Sequence, residues 1–201
     1  MKKMKIYDIS QPVFSCEVYP GDPSPVKKED LRMSNGSAYN LTSFSMCAHN
    51  GTHVDAPFHF INDGKTVDEL ELERMIGYCF VASTEGDVSA DDASHIIESA
   101  KAKKEESARR ILIKGDAVVT AEAARVFASN GVYLVGVELQ SVGPADAPAE
   151  VHRILLSKDV VLLEGIRLGA VNEGVYFLSA APISLEGSDG APVRAVLIDF
   201  A

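Results

Sequence analysis

The chain has 201 residues, a hydrophobic fraction of 46%, a charged fraction of 24% and a formal net charge of -10. That length suits one domain spanning 1–201, and the ordinary composition excludes disordered and fibrous classes. The excess of 29 acidic over 19 basic side chains argues against a nucleic-acid partner, because binders of a phosphate backbone concentrate Lys and Arg.

The opening MKKMKIYDIS is basic, yet no apolar run follows it, so it does not read as a secretory signal. The longest apolar stretches, such as Val160 to Leu163, are too short to span a bilayer, which leaves no membrane partner. Cys16, Cys47 and Cys79 are odd in number and form no C-x-x-C pair. They read as buried, inert thiols in a reducing cytoplasm rather than a disulfide framework.

About the first 60 residues are rich in Pro, Gly, Ser and Asn and predict strands and long ordered loops. Gly77 to Ser83 then predicts a strand, and about Ala90 to Ser107 a helix whose Ser89 and Asp92 have capping-box spacing. Ile111 to Ile113 reads as a short buried strand, and Thr120 to Asn130 as a helix stopped by Gly131. Val132 to Val137 predicts a strand, followed by a loop containing Gly143, Pro144 and Pro148. A short helix near Glu150 to Leu156 and a strand over Val160 to Leu163 come next. Val175 to Ala180 and Val193 to Asp199 are β-like. Strands alternating with helices predict crossovers and a parallel sheet in this half, so the fold class is mixed α/β with a β-rich N-terminal portion.

Three of the five histidines fall in HNGTHVDAPFH, His49 to His59, together with Asp55. A polar loop with incidental histidines would account for one or two of them, less readily for three and an aspartate. Imidazole and carboxylate suit zinc, manganese or iron(II). A helical H-E-x-x-H reading fails, because position 50 is Asn and because Gly51, Thr52, Val54 and Pro57 disfavour a helix. On a strand, His53 and Asp55 share a face. Gly51 would let the backbone turn to bring His49 to the same centre, and Pro57 would hold Ala56 extended and aim His59. Downstream, His95 lies among charges and reads as a partly solvated helix residue. Glu164 ends an apolar run twelve residues after His152, where a carboxylate is either metal-bound or paired at an exposed strand end with Lys or Arg.

The strip His49–His59 resembles the H-x-G-T-H-x-D-x-P-x-H signature of the cyclase family of metal-dependent hydrolases, which includes bacterial kynurenine formamidases and isatin hydrolases. All seven fixed positions match: His49, Gly51, Thr52, His53, Asp55, Pro57 and His59. DISQPV, VYPGD, Val135 to Ser141, His152 with Glu164, and APVRAVL are similar to further family landmarks. The resemblance implies a swivelling β/β/α fold, assembled as a homodimer or larger, and hydrolysis of an amide, formamide, lactam or lactone in a small-molecule substrate. It implies His49, His53, Asp55, His152 and Glu164 as ligands of two zinc ions per chain, with manganese an alternative. Asp55 and Glu164 would bridge, and His59 would be the proton donor and acceptor. Kynurenine formamidase, an enzyme of tryptophan catabolism, is the nearest likeness. Its substrate-packing tryptophan is replaced here by Tyr19, and Lys114-Gly115-Asp116 differs from the expected Arg-Thr or Lys-Thr. An isatin hydrolase-like lactam or lactone hydrolase, or a non-catalytic metal- or small-molecule-binding relative, are the alternatives. No G-x-S-x-G elbow competes.

Overall fold

Apolar runs that are buried on both faces pair best in the middle of a sheet, and that is where the most hydrophobic segments of this chain lie. A computed structural model of the chain describes residues 4–84 and 86–200. Its elements begin with β1 (Lys5–Asp8), β2 (Val26–Leu31), β3 (Leu41–Ser45), β4 (His53–Asp55), β5 (Ile76–Ser83) and β6 (Gly86–Val88). There follow α1 (Ala90–Lys103), β7 (Arg110–Lys114), β8 (Ala117–Val119), α2 (Ala121–Ser129) and β9 (Leu134–Val137). The chain closes with α3 (Ala149–Leu156), β10 (Val161–Glu164), β11 (Gly174–Ser179), β12 (Gly190–Pro192) and β13 (Val196–Asp199).

The described residues form one nine-stranded sheet in the order β1-β13-β11-β5-β7-β9-β10-β4-β12. Its centre, β5-β7-β9-β10, is parallel, as the strand–helix alternation predicts. The flanking strands are antiparallel. Two small ribbons, β2 with β3 and β6 with β8, stand apart from it. The fold class is therefore mixed α/β with a β-rich N-terminal portion, as expected.

Alternation along the central strands divides the core in two. Phe80, Ile111, Ile113, Val135 and Leu162 pack with Ile97 of α1, Phe127 of α2 and Leu155 of α3. Val81, Leu112, Leu134 and Leu163 face the other way, into a cluster with Val54 and Ala191 from one end of the sheet and Leu197 from the other. Strands from both ends share this second cluster, so the sheet curls around it. Among the described residues, no helix is long and apolar enough to cross a membrane.

The helix limits differ from the sequence reading in instructive ways. Ser89 caps α1 as expected, with its Oγ accepting from the Asp92 amide at 3.1 Å and the Asp92 carboxylate accepting from the Ser89 amide at 2.9 Å. The helix stops at Lys103 instead of reaching Ser107, and a short 3-10 turn, Glu105–Arg109, follows. Lys104 is extended, with φ -163° and ψ 116°, and the Ser107 hydroxyl ties the following turn back to the helix end by donating to the Ala100 and Lys104 carbonyls. Thr120 caps α2, and Gly131 follows it with φ +71°, the expected stop. The burial expected of all three thiols holds only for Cys79, whose pKa burial pushes up to about 12. Cys16 packs beside Gly51 and Cys47 lies 3.8 Å from the Asp22 carboxylate, both half-buried.

Candidate metal centre

Strand β4 runs antiparallel between β10 and β12, and its register builds the site. His53 sits opposite Glu164, and Asp55 opposite Leu162. His53 and Asp55 lie on one face of β4, while Val54 enters the core. Helix α3 places His152 beside them. His53, Asp55, His152 and Glu164 are at most 3% exposed.

The geometry is specific. His53 Nδ1 donates to the Gly51 carbonyl at 3.0 Å, and His152 Nδ1 to the Pro148 carbonyl at 2.8 Å. A carbonyl only accepts, so each ring carries its proton on Nδ1 and turns Nε2 inward. His53 Nε2 is 3.4 Å from both Asp55 Oδ1 and Glu164 Oε2. His152 Nε2 is 3.3 Å from Glu164 Oε1 and 3.6 Å from Asp55 Oδ2. His49 arrives through Gly51, whose φ is +68°, and sets Nδ1 2.8 Å from Asp55 Oδ1. Ala56 is extended, with φ -93° and ψ 160°, and Pro57–His59 forms one 3-10 turn, the local geometry expected from Pro57. The His59 and His49 ring centroids are 4.1 Å apart.

All six residues that the sequence places at the centre are thus together. Glu164 ends β10 but is buried there, and it faces His53 and His152 rather than a Lys or Arg. His95 is exposed on α1 and takes no part. Tyr19 lines the cavity of about 230 Å³ at the centre, with its hydroxyl donating to the Ala145 carbonyl at 3.0 Å.

The charges are those of a site made for a cation. Burial would raise the pKa of Asp55, yet hydrogen bonds from His49 and His53 hold it well below the usual carboxylate range. Burial and the charge of Asp55 press Glu164 upward, and His152 and His53 outweigh them. Burial would lower both His49 and His53, but the Asp55 carboxylate raises them to about 9 and about 10, with Glu164 adding to the effect on His53. Two buried carboxylates draw protons onto the imidazoles, a balance that a divalent ion would supply instead. Asp55 Oδ2 has no hydrogen-bond partner. Ligand atoms of His53, Asp55 and Glu164 lie within 4.8 Å of one another, as do those of His49, Asp55 and His59, with Asp55 common to both groups. Inward Nε2 atoms backed by Nδ1–carbonyl bonds are the usual outer support of histidine ligands. The residues fit one or two divalent ions.

A metal must displace those imidazole protons. Zinc affinity is therefore expected to rise with pH and level off only toward the raised values of about 9 and 10. Each displaced proton contributes about tenfold in affinity per pH unit below the pKa of its group. Chelator competition across neutral pH measures that slope, and a flat profile would contradict it.

Gly165 holds Glu164 in place. Its φ is +68°, and a Cβ there would run into the Gly51 carbonyl and stand 2.5 Å from the Gln140 amide. Its own carbonyl accepts from Gln11 Nε2 and Thr52 Oγ1, each at 2.8 Å. Gly165→Ala is expected to cost about 2–3 kcal/mol, measured by urea unfolding, from backbone strain and displacement of the Gly51 turn.

Three participants escaped the sequence reading. Asp189 accepts from His49 Nε2 at 2.9 Å and His59 Nδ1 at 3.2 Å. It lies in SDG, which reads as an ordinary turn. Gln140 and Ser141 line the cavity with side-chain polar atoms that lack protein partners. Their position just past the carboxyl end of β9, where open α/β sheets bind ligands, was the available signal.

Comparison with known proteins agrees with this construction. The Cyclase family model matches residues 7–144. Kynurenine formamidase of Bacillus cytotoxicus is 33% identical over 98% of this chain and 99% of its own length. The kynurenine formamidase of Salinibacter ruber is 36% identical, with 98% of each chain covered. A solved structure described as a potential metal-dependent hydrolase with cyclase activity superposes with a TM-score of 0.82 at 28% identity, covering 98% of both chains. Isatin hydrolase A from Labrenzia aggregata shares the fold, with a TM-score of 0.82 at 20% identity over 98% of this chain and 94% of its own. The signature strip, its assembly into one buried centre and these full-length likenesses lead to one conclusion: the chain belongs to the Cyclase family.

Proposed function

We propose that this chain is a metal-dependent hydrolase of a non-peptide C–N bond, with aryl formamides of the N-formylkynurenine type as its substrates. The observation that carries the reading is a pair of buried carboxylates, Asp55 and Glu164, ringed by imidazoles at the floor of a cavity. Relatives 31–36% identical over nearly the whole chain are kynurenine formamidases.

In this reading His49, His53, Asp55, His152 and Glu164 would hold two zinc or manganese ions. A bound ion of this kind polarises a carbonyl and lowers the pKa of water from about 15.7 toward roughly 7. His59 is the proton carrier. Its side chain is 27% exposed, against 12% or less for the other three imidazoles of the site. Asp189 engages its Nδ1, which leaves Nε2 to take a proton from the attacking water and return one to the leaving nitrogen. The water oxygen joins the formyl carbon, the C–N bond breaks, and formate and an arylamine leave. The Tyr19 and Phe60 rings on the cavity wall offer stacking surfaces to an aromatic substrate, Tyr19 in place of an indole.

The chain acts as one domain in the cytoplasm, assembled as a homodimer or larger. Assembly is supported by the β2–β3 ribbon and its connection, where Val26, Met33 and Phe44 are 58–61% exposed. A second reading is hydrolysis of a lactam or lactone, whose ring carbonyl the unpartnered polar atoms of Gln140 and Ser141 suit as well as they suit a formyl group.

The test is a panel of N-formylkynurenine, simpler aryl formamides, lactams and lactones, run with zinc and with manganese. Preferential turnover of the formamides is the expected result. Preference for cyclic substrates would select the second reading, and silence with metal bound would overturn both.

A further inference from the structure

The two imidazoles that meet at the cavity rim share a partner that no motif singles out. Asp189 Oδ2 lies 2.9 Å from His49 Nε2 and 3.2 Å from His59 Nδ1, and the two rings are tilted by 30°. One carboxylate oxygen therefore fixes two rings. The turn that presents it is tied to the same elements as the site. The Asp189 carbonyl accepts from the Ala56 amide at 2.9 Å, at the junction between β4 and the turn of His59. The next residue, Gly190, pairs with Asp55 across β12 and β4. A Cβ at Gly190 would stand 2.7 Å from His49 Cε1, so the backbone must pass bare against that ring.

The consequence is directional. With Nε2 of His49 held by Asp189, Nδ1 is the nitrogen turned to Asp55. With Nδ1 of His59 held by the same oxygen, Nε2 is the nitrogen left to reacting groups. His49 is held by Asp55 as well, whereas the polar partner of His59 is Asp189, so the shared oxygen is what fixes the proton carrier relative to the ligand.

We propose that Asp189 is a positioning residue that orients His49 toward the metal centre and His59 toward the substrate through one carboxylate oxygen. This rests on the ligand and proton-carrier roles given above. A carboxylate behind a ligating imidazole fixes the ring and raises its basicity, and loss of such a partner typically lowers metal affinity or activity by about 10–100-fold.

The test compares Asp189→Asn and Asp189→Ser with the unmodified protein. Zinc content and zinc affinity are measured first, by elemental analysis and chelator competition without substrate, alongside thermal melting. kcat and KM are then measured at saturating zinc. Both variants are expected to keep the zinc stoichiometry and bind zinc about 10–100-fold more weakly. At saturating zinc, kcat is expected to fall by about 10–100-fold while KM changes by less than about threefold. Loss of a full zinc equivalent would make Asp189 a ligand and overturn the proposal, as would unaltered zinc affinity together with unaltered kcat. A rise in KM at constant kcat would assign it to substrate binding instead. The affinity arm needs no substrate, so failure of the substrate panel leaves it decisive.

Discussion

Replacing His59 by alanine is expected to lower kcat by about 100- to 10,000-fold while leaving metal content unchanged. The difference between this residue and the other imidazoles of the site is one of setting. His53 and His152 are sealed in the core with Nε2 directed at the two buried carboxylates, and their Nδ1 protons are committed to backbone carbonyls. His59 sits on a 3-10 turn at the cavity wall, and its named polar partner is the half-exposed Asp189 rather than Asp55 or Glu164. It can reach substrate and exchange protons with water, which a ligand enclosed on all sides cannot. Its ligand atom nevertheless lies within 4.8 Å of those of His49 and Asp55, so proximity permits a ligand role that the variant must exclude. Kinetics and elemental analysis on one preparation separate the two. Slow turnover at full metal content, partly restored by added imidazole, is the signature of a lost proton carrier. Slow turnover with a missing metal equivalent would make His59 a ligand, and unchanged turnover would remove it from the mechanism.

The site was more legible in the sequence than the fold around it, for a physical reason. Metal ligation demands particular side chains on a fixed local geometry, and β4 with its neighbouring turns encodes much of that geometry in eleven residues. His53 and Asp55 share a face because a strand alternates, and His49 reaches them because Gly51 adopts φ +68°. The pairing of Glu164 with His53 depends on the register of β10 against β4, a contact across more than a hundred residues that no local pattern announces. Burial of the carboxylate excludes the exposed reading paired with Lys or Arg, and burial belongs to the assembled sheet. Asp189 was invisible for the same reason, since an aspartate in a glycine turn acquires meaning only when β12 pairs with β4. The parallel centre of the sheet followed from alternating strands and helices. The limits of α1 did not, because Lys104 turns extended where the Ser107 hydroxyl ties the next turn to the helix end, a contact no local pattern announces. The ribbon β6–β8 and strand β12 are three residues long each, too short for a periodic signal.

Asp55→Ala is expected to empty the centre, with loss of bound metal and of turnover together. No other side chain touches as much of the site. Its Oδ1 lies 2.8 Å from His49 and 3.4 Å from His53, its Oδ2 lies 3.6 Å from His152, and it belongs to both candidate ligand groups. The variant should still fold, which makes the result readable. Removing one half of a buried ion pair is destabilising by about 3–5 kcal/mol when the partner must keep its charge. Imidazole need not. Without the carboxylate, burial has less to oppose it, and both His49 and His53 give up their protons more readily, although Asp189 and Glu164 still favour the charged rings. The metal-free variant should therefore lose less stability than a severed pair implies, while losing the charge that attracts a cation. Elemental analysis against the unmodified protein, expected to carry about two ions per chain if the proposed two-ion reading holds, decides the matter. Complete loss would establish Asp55 as the shared ligand. Loss of a single equivalent would confine it to one ion, and full retention would mean that Glu164 and the histidines hold the metal without it.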